Sequence, residues 1–492
     1  MRVLIFHGYL LRGTGSNIYN TSLARALADL GHEVHLLCQD RRAADLALPA
    51  GVTVHNPDIG DLLPVYVADE YEGFRAVAFP EVGDRELDHY LEANVRAVTT
   101  IARRVRPDVA LANHLVMGPV VLARGLEGRV PYAVKIHGSA LEYTVRPHRD
   151  RFLPYALEGL ASAAGVLVGS RHTAESLWEV TGDGALPART RLGPPGVDTH
   201  TFRLRGPDGA SQGISDLADR LDAGALASWG GEVGAAAALR ELHPGRDRIV
   251  SYVGKLIVSK GVDLLLAAWP LVVAQVPDAR LLVVGFGGYR EALGVMVRAL
   301  AEGDLDAVRA LAAAGRESEG GPPGALSHLA AFLDGLEGAR RDAYVVAARV
   351  AATRVVFTGR LEHTDLPSLL GACEAQVVPS TFPESFGMVA AEAAACGALP
   401  LSAAHSGLAE VSAALGEALE PELRPLLSFR VGPGAVEEIA GKLIAWLSLA
   451  PDRRREAAAA ISALARRRYG WERVAEGVLI AAQGHLDELS AP

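Results

Sequence analysis

The sequence predicts an α/β protein of two doubly wound domains, with helical insertions in the second. Three observations predict it. Short apolar runs alternate with helical patterns up to about residue 195, a second alternating series opens near residue 249, and Gly193-Pro194-Pro195-Gly196 separates the two. The chain has 492 residues, half of them hydrophobic, enough for two or three domains with real cores. Ligands of open α/β sheets bind beyond the carboxyl ends of the strands, so two such domains place the natural site in a cleft between them.

Each element follows from local pattern. Arg2–Phe6, Glu33–Leu37, Asp108–Ala112, Tyr132–Ile136 and Gly165–Val168 read as strands, because nearly continuous apolar runs suit a parallel sheet covered on both faces. Leu23, Leu27 and Leu30 share one helical face over Ser22–Leu30, and Gly31 stops that helix. Residues 1–195 form the first domain, and 196–248 form a linker with an inserted, partly helical segment. The second domain, 249–470, has strands opening near Ile249, Leu281, Val355, Gln376, Leu399 and Leu427. The 74-residue interval between Leu281 and Val355 is too long for one crossover. It predicts an extra helical subdomain at about 288–352. Residues 471–492 contain an amphipathic helix over Trp471–Leu486.

Composition excludes several classes. The net charge of −10 argues against nucleic acid as a partner. Cys38, Cys373 and Cys396 are too few and too scattered for a disulfide framework or a zinc site, which fits a reducing cytoplasm. No window is long and apolar enough to span a membrane. Lysine occurs only at 135, 255, 260 and 442, so two lysines five residues apart stand out in an arginine-biased chain.

Four segments could carry chemistry. His7-Gly8 to Asn17 follows the first strand and has glycines suited to close approach of a ligand, but it lacks both the dinucleotide fingerprint and the P-loop lysine. Lys255 and Lys260 lie on a strand–helix loop, where mobile point charges suit a diphosphate. In the third, Val378 to Glu392, a helix is expected from near Phe386, and amides around Phe386, Gly387 and Met388 would face an anion. Glu384 precedes that helix and Glu392 lies inside it, so the two carboxylates can touch different parts of one extended ligand. The fourth is His137, at the carboxyl end of a strand; Ser170 is similarly placed.

Together these segments resemble the retaining glycosyltransferases of family 4, which have the GT-B fold of two Rossmann-like domains. Gly254-Lys255 to Lys260-Gly261-Val262-Asp263 is similar to one family segment, and Glu384 to Glu392 to the paired-glutamate signature. Pro195-Gly196-Val197-Asp198 with Phe202, Gly31-His32-Glu33-Val34 and Trp471-Glu472-Arg473 match further landmarks. The resemblance implies a retaining transferase that takes a nucleoside-diphosphate sugar as donor, with no cofactor; no Asp-x-Asp metal motif precedes a plausible donor loop, so metal independence is expected. Lys255 and Lys260 would hold the diphosphate, Glu384 the donor sugar, Glu392 the ribose, and Phe386, Gly387 and Met388 would supply amides. Gly15 would approach the phosphate from the first domain, to which the last helix crosses back. His137 would sit by the sugar, completing a catalytic set with Lys255, Lys260 and Glu384. The acceptor would be a small molecule, a glycan or a lipid. A lipid would require peripheral membrane contact, with the basic cluster Arg146 to Arg151 the first place to test. Competing readings are a non-catalytic nucleotide-sugar sensor and an epimerase or phosphorylase on the same fold. One departure is local: where the family often has two glycines before the glutamate that follows the signature, this chain has Ser406-Gly407.

Overall fold

The computed structural model describes residues 1–12, 15–66, 73–224 and 231–492. The chain divides into two units, Met1–Asp198 with Tyr469–Pro492, and Thr199–Arg468.

In the first unit, β1 (Arg2–Phe6), β2 (Glu33–Leu37), β3 (Val52–His55), β6 (Val109–Asn113), β7 (Tyr132–Lys135), β8 (Gly165–Val168) and β9 (Thr190–Leu192) form one parallel sheet. Between β3 and β6, β4 (Leu62–Val65) and β5 (Arg75–Ala78) pair separately as a two-stranded sheet. The large sheet has the order β3-β2-β1-β6-β7-β8-β9, which reverses between β1 and β6. Side chains alternate across β1: Leu4 and Phe6 enter the core on one face, Val3 and Ile5 that on the other. The second core holds Tyr19, Leu23 and Leu27 of the helix Gly15–Asp29, with Val478 and Leu479 of the final helix, Trp471–Gln483. That last helix is therefore part of the first unit. Gly196 lets it dock, since a Cβ there would lie 2.5 Å from the Trp471 indole.

In the second unit, β10 (Arg248–Val253), β11 (Ala279–Val284), β12 (Val355–Gly359), β13 (Ala375–Val378), β14 (Leu399–Ala403) and β15 (Ser428–Phe429) form a parallel sheet of order β12-β11-β10-β13-β14-β15. Its order reverses between β10 and β13. The helix Val262–Gln275 is apolar around its whole circumference, and Leu264, Leu265, Leu266 and Trp269 are all buried, as such a helix must be. The long interval between β11 and β12 holds four helices: Arg290–Glu302, Leu305–Ala314, Ser327–Asp334 and Gly338–Ala352. They add a layer on the helix Val262–Gln275, and Tyr344 donates to the Ala267 carbonyl at 2.9 Å.

Several details differ from the sequence reading. The first helix begins at Gly15 rather than Ser22, because its polar first turns are held by tertiary hydrogen bonds that periodicity does not register. Strands β3, β5 and β9 lack a strong apolar run, and β4, apolar throughout, contains Pro64, a residue that argues against a strand interior. The segment after the linker is partly helical, as expected. Its helices Pro207–Asp222 and Ala235–Arg240 belong to the second unit, where Arg220 pairs with the buried Asp365 at 3.0 Å. No helix among the described residues is long and apolar enough to cross a membrane.

Candidate functional site

In the second unit the candidate residues gather where the strand order reverses, the position at which doubly wound sheets leave a crevice for ligands. The loop after β10 carries Lys255 and Lys260, and the loop after β13 carries Glu384. Gly261 lets the two loops meet. Its φ is +65°, and a Cβ there would lie 2.1 Å from the Pro379 carbonyl oxygen. Thr381 N–H then donates to Ser259 O at 2.9 Å. Across this seam Lys260 Nζ forms an ion pair with Glu384 Oε1, and Ser380 Oγ donates to the same oxygen at 2.6 Å. Both side chains keep about a quarter to a third of their exposure (30% for Lys260, 24% for Glu384), so the pair stays open to a ligand. Lys255 is exposed on the same loop.

The signature helix runs from Met388 to Ala395, two residues later than expected. Gly387, at φ +100°, is left-handed and cannot be a helical residue. Phe386 and Gly387 thus form the turn that leads into the helix, and Met388 opens it. Glu392 is buried at 2% exposure, and its Oε1 bonds His363 Nε2 at 2.8 Å. A carboxylate this deep is no surface charge; it needs a partner, and His363 from the loop after β12 is that partner.

Two groups below the loops have displaced titrations. Asp263 opens the helix after Lys260, and burial raises its carboxyl to about 7 against two backbone N–H bonds that favour ionisation. Burial, with the Glu384 charge, pushes the Tyr252 hydroxyl well above its ordinary value. Tyr252 Oη donates to the Lys255 carbonyl at 2.8 Å and braces the lysine loop from beneath. From the insertion, Glu319 Oε2 accepts the Val258 N–H at 2.7 Å, so the extra helices reach the loop as well.

The first unit holds a second set at its own reversal point. His137 Nε2 lies 2.7 Å from Asn113 Oδ1, Asn113 Nδ2 2.8 Å from Asn20 Oδ1, Asn20 Nδ2 3.0 Å from His7 Nδ1, and His7 Nε2 2.8 Å from Asn17 Oδ1. The Asn20 amide nitrogen can only donate and the Asn113 amide oxygen can only accept, which makes both histidines Nε2–H tautomers. Burial, then the neighbouring His114, Lys135 and His7, hold the His137 imidazole well below its ordinary value, so it is neutral at pH 7. Burial brings Lys135 down to about 7, and its Nζ donates to the Gly193 carbonyl. Gly15 is exposed at the start of the first helix.

Sequence reading therefore located the loops, and the structure joins Lys260 directly to Glu384. It gave no role to Ser380, His363, His405 or Glu319, and marked Ser406 only as a departure from the family's glycines. A hydroxyl after Pro379 and a serine in place of the first glycine were the available signals; His363 and Glu319 carried none. Ser170 serves as a helix cap, its Oγ accepting Thr173 N–H at 3.2 Å. Of the basic cluster, Arg146 pairs with Glu142 and Glu179, and Arg151 with Asp84.

Comparison with known proteins follows this geometry. The model of Glycosyltransferase Family 4 matches residues 13–201, and that of Glycosyl transferases group 1 matches residues 344–462. The D-inositol 3-phosphate glycosyltransferase of Mycobacterium tuberculosis is 30% identical over 225 residues, covering 46% of this chain and 31% of that protein. The chain thus spans about a third of the length of the named relatives it matches. Among solved structures, Anabaena Alr3699/HepE in complex with UDP and glucose aligns with a TM-score of 0.57 at 18% identity, over 98% of this chain and 99% of that one. Sucrose-phosphate synthase from Thermosynechococcus elongatus aligns at 0.55 and 20% identity, over 99% of both. At these identities the structural likeness speaks for the GT-B fold.

Proposed function

We propose that this chain, matched by two glycosyltransferase family models and sharing the GT-B fold, is a family 4 glycosyltransferase that moves a glycosyl group from a nucleoside-diphosphate sugar to an acceptor hydroxyl, with retention and without a metal. The observation that carries the proposal is the pairing of Lys260 with Glu384 across two loops at the sheet's reversal point. A cation suited to diphosphate and a carboxylate suited to sugar hydroxyls stand side by side there. The relatives and neighbours support the class of donor; UDP and UDP-glucose are bound by the Anabaena neighbour.

On this reading Lys255 and Lys260 neutralise the diphosphate, and amides at Phe386–Met388 add donors beside it. Glu384 holds the donor sugar and Glu392 the ribose. As the bond from the anomeric carbon to the phosphate oxygen breaks, its electron pair stays on oxygen. The acceptor oxygen bonds to the same face of the anomeric carbon, and its proton passes to the leaving phosphate. Fixed cations stabilise that phosphate most in the transition state, which lowers the barrier. His137, held neutral and fixed by Asn113, positions rather than removes a proton. The three buried thiols fit a cytoplasmic setting.

The test is donor turnover. Incubation with UDP-, GDP- and ADP-sugars, with and without EDTA, should release nucleoside diphosphate at equal rates in both conditions from one of them. Release from none refutes the transferase reading. Loss in EDTA, restored by magnesium or manganese, refutes metal independence alone.

A further inference from the structure

The loop after β14 holds His405-Ser406-Gly407, in which Ser406-Gly407 stands where the family often has a pair of glycines. Gly407 keeps the family residue for a plain reason: a Cβ there would lie 2.7 Å from the backbone of Ser385 and Phe386. Ser406 does not keep it, although its φ of +50° is a conformation that favours glycine. Its side chain has a task instead. Ser406 Oγ lies 2.9 Å from the Glu384 backbone nitrogen and 3.0 Å from His405 Nδ1. His405 Nε2 lies 2.8 Å from the Ser380 carbonyl oxygen, and Ser380 Oγ lies 2.6 Å from Glu384 Oε1.

Donor and acceptor chemistry gives this ring one direction. The Ser380 carbonyl can only accept, so His405 carries a hydrogen on Nε2, and in the neutral ring its Nδ1 accepts. Ser406 must then donate its hydroxyl hydrogen to Nδ1 and accept the Glu384 N–H. Ser380 donates to the carboxylate. The circuit starts at the Glu384 backbone and returns to the Glu384 side chain, with Gly407 N–H donating to Glu384 O at 2.9 Å beside it. Both the backbone and Oε1 of Glu384 are thereby held, and Oε2 is presented for another donor.

We propose that His405 and Ser406 are positioning residues for Glu384, fixing its carboxylate for the sugar of the donor while leaving the grip on the diphosphate to the lysines. The inference rests on the donor reading above. It assigns His405 and Ser406 a share in sugar recognition; a glycine at 406, lacking a side chain, could not complete the circuit.

The test compares wild type, His405→Ala, Ser406→Ala and His405→Gln. Each is titrated with UDP and UDP-glucose, GDP and GDP-mannose, and ADP and ADP-glucose, and assayed for kcat and KM on the sugar nucleotide that the wild type turns over. In both alanine variants, affinity for the diphosphate should stay within about twofold, while preference for the sugar nucleotide over its diphosphate should fall by about fivefold and kcat by about tenfold. Melting temperature reports that the fold survives. His405→Gln, whose amide still donates toward Ser380, should recover part of the lost kcat. Folded alanine variants with unchanged kcat and sugar preference overturn the inference. So does a parallel loss of diphosphate and sugar affinity, the mark of a merely structural role. Should His405→Ala not fold, Ser406→Ala and His405→Gln decide by the same two criteria. Wild type that binds none of these sugar nucleotides overturns the donor reading, and the inference with it.

Discussion

With a UDP-sugar as the working donor, Glu384→Gln should bind UDP more tightly than the wild type while transferring sugar more slowly. In the ligand-free protein the charge of Lys260 is already engaged by Glu384, so a diphosphate must compete for it. Exposed ion pairs contribute about 0.2–1 kcal/mol, and breaking buried ones costs about 3–5 kcal/mol. With side chains 30% and 24% exposed, this pair lies nearer the exposed end, at about 1 kcal/mol. Glutamine keeps the shape and removes the charge, and the released attraction should strengthen UDP binding about fivefold. Turnover should fall at least about tenfold, because the sugar loses its carboxylate. Lys260→Ala should act oppositely on binding. It removes a charge-assisted contact of about 1.5–3 kcal/mol, weakening UDP about tenfold to a hundredfold. Calorimetric titration of both variants with UDP, beside steady-state turnover of the working donor, gives all four quantities. Glu384→Gln that binds UDP no better than the wild type, or Lys260→Ala that binds it equally well, refutes the reasoning.

Three further outcomes follow from the same geometry. Glu319→Ala should raise donor KM about threefold to tenfold, because the Val258 N–H loses its acceptor and the lysine loop its brace; Glu319→Gln, which can still accept, should stay near wild type in the same assay. Gly261→Ala should lower stability by about 2–4 kcal/mol in urea melts, since its Cβ would meet the Pro379 carbonyl in a left-handed conformation. Lys135 has a folded-state pKa lowered to about 7 from 10.5, so the unfolded chain binds more protons between those values and stability rises with pH across that window. Lys135→Met should therefore be more stable than wild type at pH 7, and the gap should narrow as pH approaches 10; a gap independent of pH would contradict the buried-charge account.

Much of the fold was legible because apolar runs and glycine stops are local signals. β1, β2, β8, β12 and β14 lie within a residue of their expected starts, and the interval expected to be helical holds the helices from Arg290 to Ala352. Strands β3, β4 and β5 were not legible. Each has four residues, and β3 and β5 are only partly buried, so their hydrogen bonds come from neighbours that no local pattern names. The candidate loops were equally legible, since lysine is rare here and glutamates spaced around a helix start are conspicuous.

By itself the sequence determined which residue types stand at the carboxyl ends of which strands, and hence the kind of ligand those loops suit. Only the tertiary structure decided how they are held. Lys260 meets Glu384 because Gly261 lets two loops touch, Glu392 is satisfied by a histidine 29 residues away, and Ser406 reaches back to the Glu384 backbone. The reason is physical: propensity and periodicity act over a few neighbouring residues, whereas a buried polar group is satisfied by whatever donor or acceptor the packed chain brings within 3 Å or so.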